Sequence, residues 1–166
     1  MLTGSFASSY YGVLRATHDI DIVIAPTQQS LKTLVSHLNE EDYYADLKAA
    51  TDAQRELSMF NAIDNQTGWK VDFIFCKSGP YAREAFQRRR PVNFHDTTIF
   101  GASVEDVIVS KLEWAKMGES TRQIEDVAAV FKKQHSAVDR PYIEKWVGEL
   151  DLTAQWSQTL RLAGVE

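Results

Sequence analysis

The chain has a single cysteine, Cys76, in 166 residues, so it can build neither an internal disulfide nor a multi-cysteine zinc site. It also lacks a long apolar stretch. Its longest runs, IVIA after Asp21 and DFIF around Asp72, fall far short of the roughly 20 residues that a bilayer crossing needs. The opening residues, MLTGSFASSYYG, carry no basic segment followed by a continuous apolar one, which argues against a secretory signal and makes the cytoplasm the expected compartment. The four histidines, His18, His37, His95 and His135, are scattered without metal-ligand spacing, and no histidine stands near Cys76. A Walker lysine loop, a dinucleotide-binding glycine pattern and a serine elbow are all missing, which leaves kinase, dehydrogenase and hydrolase readings without support. Positive charge is short as well, with 18 Lys and Arg against 23 Asp and Glu and a formal charge of −5. That balance disfavours tight nonspecific binding to nucleic acid. The one dense basic run, Gln87 to Pro91 (QRRRP), is either a solvated loop or a place to receive RNA or a phosphorylated acceptor.

What is present is ordinary for a folded chain: 44% apolar and 25% charged residues, enough for one compact domain or a small domain with an appendage. Residues 19–25, DIDIVIA, form a β-branched run that stops at Pro26, and they read as a strand. After it, Leu31, Leu34, Val35 and Leu38 recur at helical spacing behind Thr27, predicting a capped helix over 27–39. Residues 56–63 and 69–76 read as two strands joined by the turn DNQTG, which makes the sheet mixed. A short helix over 80–88 and an edge strand over 97–100 complete this part. From Ser103 onward four helical stretches follow one another, with Ser103 and Ser120 opening the first two and Asp139 and Asp151 expected as caps of the others. Trp114, Trp146 and Trp156 fall on apolar helical faces and are expected in the core. The expected class is therefore α/β (α+β): a mixed sheet with helices over residues 1–101, then a helical part over 102–166, sharing one core.

The chemistry is concentrated in three acids. Asp19 and Asp21 flank Ile20 in an otherwise apolar strand, and the period of two sets both carboxylates on one face, with Ile20, Ile22 and Ile24 on the other. Two adjacent carboxylates at a partly buried position require compensation, and a divalent metal supplies it. Oxygen ligands alone suit Mg²⁺ or Mn²⁺, which complete their octahedra with water and substrate phosphates. Asp72 repeats the anomaly in WKVDFIFC, on the face opposite Val71, Phe73 and Phe75. If its strand adjoins the first, the three acids meet at one edge, around ions that could clamp the attacking and leaving oxygens of a phosphoryl displacement. The plainer reading pairs Asp72 with Lys70 or Lys48, and leaves Asp19 and Asp21 as a solvated strand end.

Gly4-Ser5, thirteen residues, and then Asp19-Ile20-Asp21-Ile22 resembles the signature of the polymerase-β-like nucleotidyltransferase superfamily, with Asp72 as its third carboxylate. The stretches GSFASSYYGVLRATHDIDIVI, EDVIVSKLEWAK and TRQIEDVAAVF further resemble the small bacterial AbiEii-type proteins and their uncharacterised relatives. The resemblance implies a nucleotidyltransferase-like fold. It also implies metal-dependent transfer of a nucleoside monophosphate from an NTP to an RNA or protein acceptor, in a toxin–antitoxin or phage-defence setting. In that picture Asp19, Asp21 and Asp72 are catalytic and metal-binding, while Gly4 and Ser5 hold the β- and γ-phosphates. Lys111 neutralises phosphate charge, and Arg15 contacts a phosphate or pairs with Asp19. Arg122 and Asp126 support the site from behind or form a simple helical pair. The alternative is a catalytically inactive nucleotide-binding or antitoxin-like interaction module, with a cognate toxin or antitoxin as partner. Relatives carry a helix and a strand before the Gly-Ser turn, where this sequence has only Met1-Leu2-Thr3, so a preceding helix is expected to be missing.

Overall fold

The computed structural model describes residues 1–13, 16–94 and 96–165. The chain divides into two compact units, Met1–Phe6 with Ala16–Gly101, and Ala7–Arg15 with Ala102–Glu166, so the division falls inside the first helix. In order, the first unit carries the start of α1 (Gly4–Tyr10), then β1 (Asp19–Ile24), α2 (Gln28–His37), β2 (Tyr43–Ala45), α3 (Leu47–Glu56), β3 (Met59–Asp64), β4 (Lys70–Phe75), α4 (Pro80–Gln87), β5 (Arg90–Phe94) and β6 (Thr97–Gly101). The second holds α5 (Val104–Gly118), α6 (Thr121–Gln134), α7 (Arg140–Glu149) and α8 (Thr153–Ala163). The class is mixed α/β, as the alternation of strand and helix periods requires.

Four strands pair in the order β1-β4-β3-β2, with β1 parallel to β4 and the other pairs antiparallel. Residues 1–3 extend this sheet. Leu2 bridges Ile22 on one side and Gly101 on the other, and so joins the β5–β6 hairpin to β1. The backbone bonds are Thr3 N–H to Asp21 O at 2.9 Å, Val23 N–H to Met1 O at 2.8 Å and Leu2 N–H to Phe100 O at 2.6 Å. One face of the sheet is a dry core in which Phe60, Ala62, Phe73 and Phe75 pack on Leu31 and Val35 of α2 and on Ala50 and Ala53 of α3, with Ile22, Ile24 and Val71 against them. Phe60 and Phe73, partners across β3 and β4, stack with ring centroids 5.0 Å apart. Covering one face with two helices forces every alternate residue of β1 and β4 to the other face, and that face carries all the charged residues of the two strands, Asp19, Asp21, Lys70 and Asp72, along with Val23 and Ile74.

Several local expectations are corrected. The strand placed at 56–63 begins at Met59, because α3 runs through Glu56 and closes on Leu57 in the left-handed conformation, φ 50°. The run Gln87 to Pro91 is a loop only at Arg88 and Arg89, between the end of α4 and the start of β5. Arg90 and Pro91 open β5, and the Arg89 guanidinium lies 4.4 Å from the Phe86 ring centroid and 5.2 Å from that of Phe100.

Within the second unit Ser103 caps α5 as expected, accepting the Asp106 N–H at 3.2 Å. Its hydroxyl also donates to Asp106 Oδ2 at 2.7 Å, while the Tyr142 hydroxyl donates to Oδ1 at 2.7 Å, so this buried carboxylate is bound on both oxygens. Asp139 caps α7, accepting the Tyr142 N–H at 3.1 Å. Asp151 caps nothing: Leu152 stands at the start of α8, and Asp151, at φ 55°, receives the Lys116 ammonium at 2.9 Å. Trp146 and Trp156 are buried, but Trp114 is 51% exposed, on the outer side of α5. No described helix is long and apolar enough to cross a membrane.

Candidate functional site

The register of the parallel pair decides where the acids lie. Asp21 sits opposite Asp72, and Asp19 opposite Lys70, and residues paired across adjacent strands point to the same side of a sheet. Asp19, Asp21, Lys70 and Asp72 therefore share the face left uncovered by α2 and α3, and Asn61, opposite Asp72 on β3, joins them. Two features of the sequence produce this gathering: the period of two within each strand, and the Phe and Ile positions that fix the opposite face to the core.

Burial grades the three carboxylates. Asp19, at the mouth of β1, has a side chain 53% exposed, Asp21 is half-buried, and Asp72, on a strand flanked on both sides, is 5% exposed. The Lys70 ammonium lies 2.9 Å from Asp72 Oδ2 and 3.4 Å from Asp19 Oδ1. The hydrogen bond to Asp72, reinforced by the charges of Asp72 and Asp19, raises the lysine above its ordinary range against a partial desolvation that works the other way. Asp72 Oδ1 is buried with no hydrogen-bond partner. An ionised carboxylate oxygen left bare inside a protein is costly, and a site that accepts one is shaped to receive a cation or a proton there.

Gly4 abuts the same group from the other side. It opens α1 at φ +64°, and a Cβ placed on it would overlap the Asp21 carboxylate. Glycine is required twice over here, by conformation and by space. Ser5 follows as the second residue of α1 and is half-buried. On the approach to β1, the Thr17 hydroxyl accepts the Asp19 N–H at 3.2 Å. Beside it, Trp69 packs between the rings of Phe6 and His18, with centroids 5.7 and 5.5 Å away.

Three observations bear on a divalent ion at this face. The donors are carboxylate oxygens on one side of a sheet, one buried oxygen lacks a partner, and a cation, the Lys70 ammonium, already lies between two of the acids. The residue types fit Mg²⁺ or Mn²⁺. In the present arrangement no three His, Cys, Asp or Glu side chains among the described residues converge on a single metal position. Asp19 and Asp72 instead converge on the lysine.

The remaining predicted residues belong to the second unit or lie outside the described residues. Lys111 is buried within the helical unit, its ammonium 3.0 Å from both Asp126 Oδ2 and Gln123 Oε1, so its counter-ion stands on α6. Asp126 is buried in that pair, while Arg122, one turn earlier on α6, is exposed. Arg15 and His95 lie outside the described residues. From the sequence, Lys70 is expected only as an ion-pair partner for Asp72. Its place two residues earlier on the same strand already put it on the acidic face. No family model matches the chain, and no curated protein matches it.

Proposed function

We propose that this protein is a metal-dependent nucleotidyltransferase that moves a nucleoside monophosphate from an NTP to a hydroxyl of an RNA or protein acceptor. One observation carries the reading: the Asp21–Asp72 register, which sets three carboxylates on one sheet face with Gly4 seated against the middle one. Asp19, Asp21 and Asp72 would hold Mg²⁺ or Mn²⁺, which when bound neutralises phosphate charge and polarises the α-phosphorus. Asp72 Oδ1, buried and unpartnered, accepts the proton of the acceptor hydroxyl as its oxygen bonds to the α-phosphorus. The bond from that phosphorus to the bridging oxygen breaks, and pyrophosphate leaves with the electron pair. Gly4 keeps the backbone bare where the triphosphate approaches, and the Ser5 hydroxyl donates to it. Lys111 and Asp126 are outside this reading, since each compensates the other within the helical unit. A toxin–antitoxin or phage-defence role extends the same proposal to the choice of acceptor or partner.

A second reading is favoured by the Lys70 contacts. An ammonium that already bridges Asp19 and Asp72 makes the acids a self-contained ion cluster, as in an inactive nucleotide-binding or antitoxin-like module. Incubation with Mg²⁺ or Mn²⁺ and labelled NTPs over total RNA and cell protein separates the two. Transfer of label that Asp21→Ala abolishes is the expected result. Nucleotide binding by calorimetry with no transfer to any acceptor would establish the module instead.

A further inference from the structure

We infer that Lys70 is an intramolecular stand-in for the divalent ion: it occupies the acidic face in the metal-free protein, and the metal binds only by displacing its ammonium from Asp19 and Asp72. The inference rests on the nucleotidyltransferase reading and goes beyond it by giving the site a built-in competitor.

The argument is one of space and charge. Lys70 and Asp19 are paired across β1 and β4, and Asp72 lies two residues further along the same strand as Lys70, so backbone register sets all three side chains on one face, where the ammonium reaches both Asp19 and Asp72. It takes one oxygen of each carboxylate, Asp19 Oδ1 and Asp72 Oδ2. A metal ion sharing Asp19 and Asp72 needs the same region, and two cations cannot occupy it together. The buried Asp72 Oδ1 stays unpartnered even with the lysine in place, so the ammonium compensates the acids incompletely. Displacement is feasible because the lysine side chain is one-third exposed and its four-carbon stem can carry the charge outward, whereas Asp72 cannot leave the sheet interior. The lysine thus keeps the carboxylates apart from one another and oriented while the metal is absent, and it weakens the affinity for free metal.

Mn²⁺ binding to the full chain, followed by the loss of the free-ion electron paramagnetic resonance signal, tests this without reference to activity. Lys70→Met removes the competitor and should tighten Mn²⁺ binding roughly 10- to 100-fold, the equivalent of one charge-assisted hydrogen-bonded contact that no longer has to be broken. Lys70→Arg keeps the charge and adds a planar fork that grips carboxylates better, so it should bind Mn²⁺ several-fold more weakly than the wild type. This variant retains the ion cluster and decides the matter if Lys70→Met does not fold. Mn²⁺ bound equally by wild type and Lys70→Met, or more tightly by Lys70→Arg, would overturn the role of Lys70 and leave the metal site standing. No Mn²⁺ bound by any of the three, or binding indifferent to Asp72→Asn, would overturn the metal site itself.

Discussion

Replacing Gly4 with alanine tests the closest approach in the candidate site. Two costs add. The residue stands at φ +64°, and a side chain in the left-handed region costs about 1–2 kcal/mol. The new Cβ would also lie 2.7 Å from Asp21 Cγ and 3.0 Å from Asp21 Cβ, with the carboxylate oxygen nearer still. Relieving such an overlap requires the Asp21 side chain to turn from its present place or β1 or α1 to shift, at about 1–3 kcal/mol. The expected loss is therefore about 2–5 kcal/mol, a large share of the roughly 5–15 kcal/mol that holds most proteins folded. Urea unfolding should show a lower midpoint with an unchanged slope, and amide exchange should locate the loss in β1 and its neighbours. Asp21→Ala in the same chain removes Cγ and both oxygens but not the backbone strain, so the double variant should recover about 1–2 kcal/mol relative to the sum of the singles. A cost within about 0.5 kcal/mol for Gly4→Ala, or strict additivity with Asp21→Ala, would refute the packing argument.

Two further outcomes follow from the charged pairs. Asp126→Ala strands a buried lysine and should cost about 3–5 kcal/mol in thermal or urea unfolding, whereas Lys111→Met combined with Asp126→Leu should recover most of that loss. Because Asp72 and Asp19 raise the Lys70 ammonium above its ordinary value of 10.5, the stability contributed by that cluster is complete below that value and is lost only as pH climbs through the still higher folded-state one. The stability difference between wild type and Lys70→Met, measured by urea midpoints, should stay flat from pH 7 to pH 10 and narrow at more alkaline pH.

The strand at β1 and the helices α2, α5 and α6 were legible because each carries a long enough apolar period to fix both its type and its buried face. The same periodicity placed Asp19, Asp21 and Asp72 on one surface once β1 and β4 proved to be neighbours. Other elements left weaker marks. β2 spans three residues, too few for any period to register. α3, LKAATDAQRE, buries only two alanines, and its polar composition resembles a loop. β5 begins with Arg and Pro, a poor strand signal that is tolerated because β5 pairs on one side only, with β6. Trp114 shows the limit of helical spacing, since it sits beside the apolar stripe of α5 but outside the arc that α6 and α7 cover. The counter-ion of Lys111 was not legible, because it lies fifteen residues away on another helix, a distance at which sequence proximity carries no information.

The threading of residues 1–3 between β1 and β6 has a consequence for how the chain acquires its shape. Leu2 can be flanked on its second side only after residues 100 and 101 have been synthesised, so the sheet closes through one of its most distant pairings in sequence, a slow type of event. Until then the border of β1 is open to other chains, and a translation pause or a bulky fusion ahead of Met1 would prolong that aggregation-prone interval.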